Sequence, residues 1–179
     1  MSRPSETTTG VVLQPVRPED ESFLFEVYAS TRAEELAQVD WSEEQRENFL
    51  QMQFQAQAKH YRENYPGAEL GIIQVDGEPT GRLYVHRRVD EIRIMDIALL
   101  PACRGRGIGT VLLEEILAEG ARTGKVVSIH VEAFNPALHW YERLGFKQVS
   151  MNGPYQLLEW VAGARATHRR LDTLSGITA

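Results

Sequence analysis

The chain has 179 residues, 42% hydrophobic and 25% charged, with a formal net charge of −6. That length reads as one domain, able to bury roughly 70% of its unfolded surface without covalent staples. The single Cys103 excludes an internal disulfide framework and a multi-cysteine zinc site, the five histidines form no H-x-x-x-H pair, and no metal is expected. The acidic balance argues against general nucleic-acid binding. No apolar run approaches the roughly 18 residues of a membrane span. MSRPSETTTG lacks the apolar segment of a secretory signal, so the expected compartment is the cytoplasm.

Residues 1–9 are polar and are expected to be loose. Val11–Leu13 with Val16 reads as a short strand, and Pro18-Glu19-Asp20 as a helix start. Phe23, Leu24, Val27, Tyr28, Leu36 and Val39 mark one or two short helical stretches. Ser42 with Gln45 three residues on is a capping-box pattern. It opens a helix that runs to about Tyr65, with Phe49, Met52, Gln53, Ala56, His60 and Tyr61 at helical spacing. Leu70–Val75, Asp76-Gly77 and Thr80–Val85 read as a hairpin. Val89–Leu100 is a strand, Gly107 to about Arg122 a helix on an Ile108, Leu112, Leu113, Ile116, Leu117 stripe, and Val126–Val131 a strand. Ala137–Leu144 is a short helix, and Phe146–Val149 with Tyr155–Val161 a closing hairpin. The domain is taken as 10–161, and the tail over 162–179, with Arg165, His168, Arg169 and Arg170, as a basic solvated extension.

Chemistry concentrates at Asp96-Ile-Ala-Leu-Leu-Pro-Ala-Cys-Arg-Gly-Arg-Gly-Ile-Gly-Thr110. An apolar strand runs into a Gly/Arg loop that opens a helix. Such a helix start presents unpaired N–H groups and partial positive charge, glycines let the backbone approach closely, and arginines add charge. The dinucleotide pattern G-x-G-x-x-G fails at Thr110, and no acidic residue stands in Lys125–Ser128 to hold a ribose. The Gly-Lys-Ser/Thr of a P-loop is absent. Alone, the loop has a second and less favoured reading, a tight strand-to-helix turn.

Together with a second motif it resembles the Gcn5-related N-acetyltransferase (GNAT) family. That family's Q/R-x-x-G-x-G/A motif is matched by Arg104-Gly-Arg-Gly107-Ile-Gly109, with Pro101 before it. Its Asn followed by a short helix ending Tyr-Glu-x-x-Gly-Phe is matched by Asn135 and Tyr141-Glu-Arg-Leu-Gly145-Phe146. The resemblance spans about 10–161. It implies an α/β (α+β) fold with a mixed, mostly antiparallel sheet of about seven strands, flanked by about four helices and splayed at an acetyl-CoA cleft. It implies acetyl transfer to a primary amine, of a small molecule or a peptide N-terminus, by direct attack in a ternary complex. A CoA-binding module without catalysis is the alternative.

By the same resemblance, the backbone of Ile97, Ala98 and Leu99 would hold the pantetheine. The amides of Arg104, Gly105, Arg106, Gly107, Ile108, Gly109 and Thr110 would hold the pyrophosphate. Tyr141 is the expected acid for the departing thiolate, or its orienting group. Asn135 is the expected pantetheine contact, although it stands one residue closer to the tyrosine than is usual, and is otherwise a turn before Pro136. The base is less defined. Where histone-acetylating members carry a Glu, this chain has Arg93, which cannot act as a base. Glu91, on the same strand face, is one candidate or an edge charge. His130 and Glu132, matching the strand used by members that acetylate protein N-termini, are others. Asp96 either pairs with an arginine or faces the amine, and ordered water is a further relay. Cys103 falls beside the cofactor, and an acetyl-cysteine relay is disfavoured.

The acceptor side is less legible. Ten acidic residues lie between Glu19 and Glu47, opposed by Arg32 and Arg46 alone. They would attract a cationic amine or simply solubilise a helix face. Trp41, Phe54, Tyr61, Tyr65 and Tyr84 are candidate pocket walls or core. A homodimer through the Tyr155–Val161 strand is an expectation by analogy.

Overall fold

The computed structural model describes residues 10–163. The expectations for residues 1–9 and for most of the basic tail, Arg165, His168, Arg169 and Arg170 included, lie outside the described residues. The strands are β1 (Val11–Pro15), β2 (Glu69–Val75), β3 (Glu78–Arg87), β4 (Glu91–Leu99), β5 (Val126–Glu132), β6 (Lys147–Asn152) and β7 (Tyr155–Trp160). The helices are α1 (Glu21–Leu36), α2 (Glu43–Asn64), α3 (Ile108–Thr123) and α4 (Leu138–Arg143). One seven-stranded sheet runs β1-β2-β3-β4-β5-β7-β6, antiparallel except between β4 and β5. The parallel pair needs a long crossover, which α3 provides. Among the described residues no helix is long and apolar enough to cross a membrane.

Alternation along the strands splits the core in two. Leu83, Val85, Ile92 and Ile94 join Val127 and Ile129 beneath α3, whose Ile108, Leu112, Leu113, Ile116 and Leu117 are buried at the spacing that keeps one helix face inward. Each such side chain contributes roughly 1.5–3 kcal/mol. On the other face, Ile72 and Tyr84 pack against Leu24, Tyr28 and Phe54 of α1 and α2.

Several boundaries differ from the sequence reading. The segment after Asp20 is one continuous helix of 16 residues rather than two short pieces, since no Gly or Pro interrupts it. In α2 the apolar stripe turns out to be Leu50, Phe54 and Tyr61. Met52 is exposed, and Phe49 stacks on Trp41 with ring centroids 5.2 Å apart. A long helix laid over a thin patch of sheet buries only a narrow stripe, so its remaining apolar positions stay wet. β7 is an interior strand, paired with β5 on one side and β6 on the other. It therefore offers no free edge for a second copy. On that side of the sheet the edge strand is β6, whose six residues are all exposed.

The cleft follows from one irregularity. Tyr84 lies opposite Asp96 while Val85 lies opposite Ile94, so Met95 is an extra residue in β4. Such a bulge bends and twists its strand. Met95 packs against the α1/α2 core and Asp96 hydrogen-bonds on that side too, whereas Ile97 returns to the α3 side. The β4–β5 pairing stops at the same point, its last register pair being Ile94 and Ile129. Beyond it the two strands separate. β3 stays against β4 there because position 81 is glycine: a Cβ on Gly81 would lie 2.2 Å from the Ala98 carbonyl oxygen.

Candidate active site

The opening between β4 and β5 is a cleft of about 720 Å³. Asp96, Ile97 and Ala98 line it from β4, His130 and Glu132 from β5, and Asn135 and Tyr141 from the segment that follows. The structure thus brings together seven of the residues singled out from sequence. Glu91 is not among them. It sits where β4 and β5 are still paired, opposite Val126. Its carboxylate accepts hydrogen bonds from Ser128 Oγ and from Arg93. Burial works to raise its pKa, but those hydrogen bonds and the charges of Arg93 and Arg88 prevail and hold it below the ordinary carboxylate range.

Tyr141 is buried in α4. Burial first, and then the charge of Asp96, pushes its phenol above the ordinary tyrosine value. It is a group that keeps its proton, facing a carboxylate that favours the protonated form. His130 is exposed on β5, and its Nδ1 accepts from Arg93 Nη1 at 3.3 Å, because a guanidinium only donates. Desolvation and then the Arg93 charge lower its pKa, partly opposed by Glu91, so the neutral ring is favoured. Glu132 is reached from α1 by Arg32, with Nη1 3.8 Å from Oε1, an ion pair across the cleft. Asn135 is a turn residue as well as a lining one: its Oδ1 accepts from the Ala137 amide at 2.8 Å.

The Gly/Arg loop lies between β4 and α3, outside the cleft lining. Gly105 and Gly107 have φ of 71° and 79°, the left-handed region that favours glycine, and open space where a side chain would start. Among the described residues, the amides of Gly105, Arg106, Gly107, Ile108, Gly109 and Thr110 have no hydrogen-bond partner. Six free donors around a helix N-terminus, with exposed Arg106 beside them, fit a pyrophosphate. Arg104 contributes differently: its Nε donates to the Leu99 carbonyl at 2.9 Å and ties the loop to the end of β4. Cys103 is half-buried at the edge of the α3 core.

Two functional residues escaped the sequence reading. Trp140 donates from Nε1 to Thr110 Oγ1 at 3.0 Å, and its ring covers Gly109, where a Cβ would lie 3.2 Å away. It fastens α4, and with it Tyr141, to the start of α3. The signal available was its position beside the motif tyrosine. The other is Arg82, buried in β3 and bonded to Asp96, for which alternation along the strand gave no warning. Of the aromatic residues weighed as pocket walls, Phe54 and Tyr84 are core, while Tyr61 lines the cleft.

Comparison with known proteins agrees with this geometry. The fold is similar to PaiA N-acetyltransferase from Thermoplasma acidophilum, solved with coenzyme A, at 18% identity and a TM-score of 0.65 over 86% of this chain and 99% of that one. It is similar to an acetyltransferase from Thermus thermophilus at 21% identity and a TM-score of 0.63, over 86% and 98%. It is also similar to the ribosomal-protein-S18-alanine N-acetyltransferase of Escherichia coli at 15% identity and a TM-score of 0.58, over 88% and 97%. The model of the Acetyltransferase (GNAT) family matches residues 31–146, well over half of the sequence. With the splayed sheet and its glycine loop, that match places the chain in the GNAT acetyltransferase family.

Proposed function

We propose that the chain transfers the acetyl group of acetyl-CoA to a primary amine, of a small molecule or a peptide N-terminus, by direct attack within one ternary complex. The observation that carries this reading is the splay after Ile94 and Ile129, with Tyr141 and Asp96 lining one cleft and a run of free amides on the loop between β4 and α3. Acetyl-CoA supplies an activated thioester. The amides of Gly105 to Thr110 bind its pyrophosphate, and the backbone of Ile97 to Leu99, no longer committed to β5, aligns the pantetheine. Asn135 turns the chain toward the same place. Tyr141, which burial keeps protonated, gives its proton to the sulfur as the C–S bond breaks. The amine loses its proton to His130, Glu132 or Asp96, directly or through water. Glu91 serves instead as the anchor of Arg93.

The test is a calorimetric titration with acetyl-CoA, followed by a thiol-release assay over a panel of amines and peptides. Tyr141→Phe should bind acetyl-CoA as the wild type does and turn over about 10²–10⁴-fold more slowly. A near-normal rate would reduce Tyr141 to packing. Binding without turnover across the panel would favour a non-catalytic CoA-binding module.

A further inference from the structure

Arg82 stands in the middle of β3 with its side chain 3% exposed. Arginine is almost never so buried unless its charge is answered. The answer here is narrow. Nη2 donates to Asp96 Oδ2 at 2.6 Å and to Gln57 Oε1 at 3.0 Å, the rings of Tyr84 and Tyr28 flank the guanidinium at 5.2 and 5.8 Å, and Nε has no partner. A buried ion pair of this kind is a weak source of stability, since apolar residues of similar volume usually serve as well. Its position gives it another use. Asp96 lies at the bulge that opens the cleft, with the phenol of Tyr61 3.5 Å from the same Oδ2 and the Tyr141 phenol within reach of its charge. Both identified contacts fall on Oδ2. Oδ1 has no partner among the described residues, is not sealed from the cleft, and belongs to a residue that lines it.

We propose that Asp96 holds the acceptor as its ammonium ion through Oδ1, and that Arg82 is the positioning residue that fixes the carboxylate by its other oxygen. The proposal rests on the reading of the chain as an amine acetyltransferase and narrows the acceptor to an amine that arrives as a cation. Arg82, itself held by Gln57, grips Asp96 through Oδ2, which leaves Oδ1 as the oxygen free to take the bound nitrogen in the cleft. The ammonium gives up one proton to His130, Glu132 or water before its lone pair attacks the thioester carbonyl, the C–S bond breaks, and Tyr141 protonates the sulfur. Because Arg82 meets Asp96 through one nitrogen and one oxygen, a lysine point charge can replace much of its effect.

The experiment uses the full chain, acetyl-CoA, and two probe acceptors, benzylamine and an Ala-Val-Ser-Ser peptide amide. KM and kcat are measured for Asp96→Asn, Arg82→Met and Arg82→Lys, with acetyl-CoA affinity as the check on folding. A charged hydrogen bond to the acceptor predicts a KM for the amine raised about 10- to 100-fold in Asp96→Asn. Arg82→Met should follow it and Arg82→Lys recover most of the loss, with acetyl-CoA affinity unchanged in all three. A fall in kcat at constant KM in Asp96→Asn would make Asp96 a base and overturn the anchor. Equal damage in both Arg82 variants together with lost acetyl-CoA binding would make the pair structural. If the wild type binds acetyl-CoA but acetylates neither probe, the amine-acetylation reading fails first and this proposal falls with it.

Discussion

His130 on β5 is partly desolvated and meets a cation from the neighbouring strand. Arg93, held by Glu91 and Ser128, donates to Nδ1, so a proton added at that nitrogen would face a guanidinium. Desolvation first, and then this guanidinium, hold the folded-state pKa below the ordinary value of about 6.5. Its sign follows directly: the neutral ring is favoured in the folded protein, and folding loses some stability as pH falls through that range. If His130 takes the amine's proton, the rate falls as pH drops below about 6.5, and His130→Gln removes that limb from the pH–rate profile. A limb that survives the substitution transfers the role to Glu132 or to solvent. Tyr141 and Asn135 were readable as cleft residues because they belong to one short contiguous motif. Asp96 was readable as a charge that pairs with an arginine, but its partner Arg82 was not, because the two are 14 residues apart and meet only through a register that the extra residue Met95 creates. The same applies to Glu91, whose strand face was read correctly while the end of the β4–β5 pairing, which keeps it from the cleft, was invisible.

At the level of elements, periodicity and punctuation located every strand and helix within a few residues. Ser42 caps α2 by accepting from the Gln45 amide, and Gln45 returns the bond, the reciprocal pattern read from sequence and worth about 1 kcal/mol. What periodicity could not supply was which part of α2 would be covered, since that depends on where the sheet ends beneath it. Nor could it supply the junction between α3 and α4. There the Trp140–Thr110 hydrogen bond couples the helix that starts at the glycine loop to the short helix that carries Tyr141. Trp140→Phe keeps a ring over Gly109 and removes that bond. Losing a neutral hydrogen bond costs about 0.5–1.5 kcal/mol. Turnover should therefore fall about 3- to 10-fold, with acetyl-CoA affinity changing less, because the amides of the loop remain. A loss of affinity as large as the loss of turnover would mean that Trp140 shapes the loop rather than placing Tyr141.

For the molecule as a whole, the sheet joins two cores of unequal strength. The α3 side is continuous from Ile73 to Leu158, whereas the α1/α2 side is a small cluster beneath the two N-terminal helices. The glycine loop is built on the stronger side, seated on the first turn of α3, where Ile108 is buried. A ligand held there binds the folded chain alone and raises its unfolding free energy by mass action, about 2.7 kcal/mol at a hundredfold excess over Kd. For a chain of this size each kcal/mol moves the melting midpoint roughly 2–4 °C. Acetyl-CoA at that excess should therefore raise Tm by about 5–11 °C. Gly107→Asp separates this gain from intrinsic stability. Its φ of 79° strains any residue with a Cβ, so the unliganded variant should melt lower. Its carboxylate would also face the bound phosphates, so the acetyl-CoA shift itself should vanish. A variant that melts lower yet keeps the full shift would show that the pyrophosphate lies elsewhere, whatever the loop's amides offer.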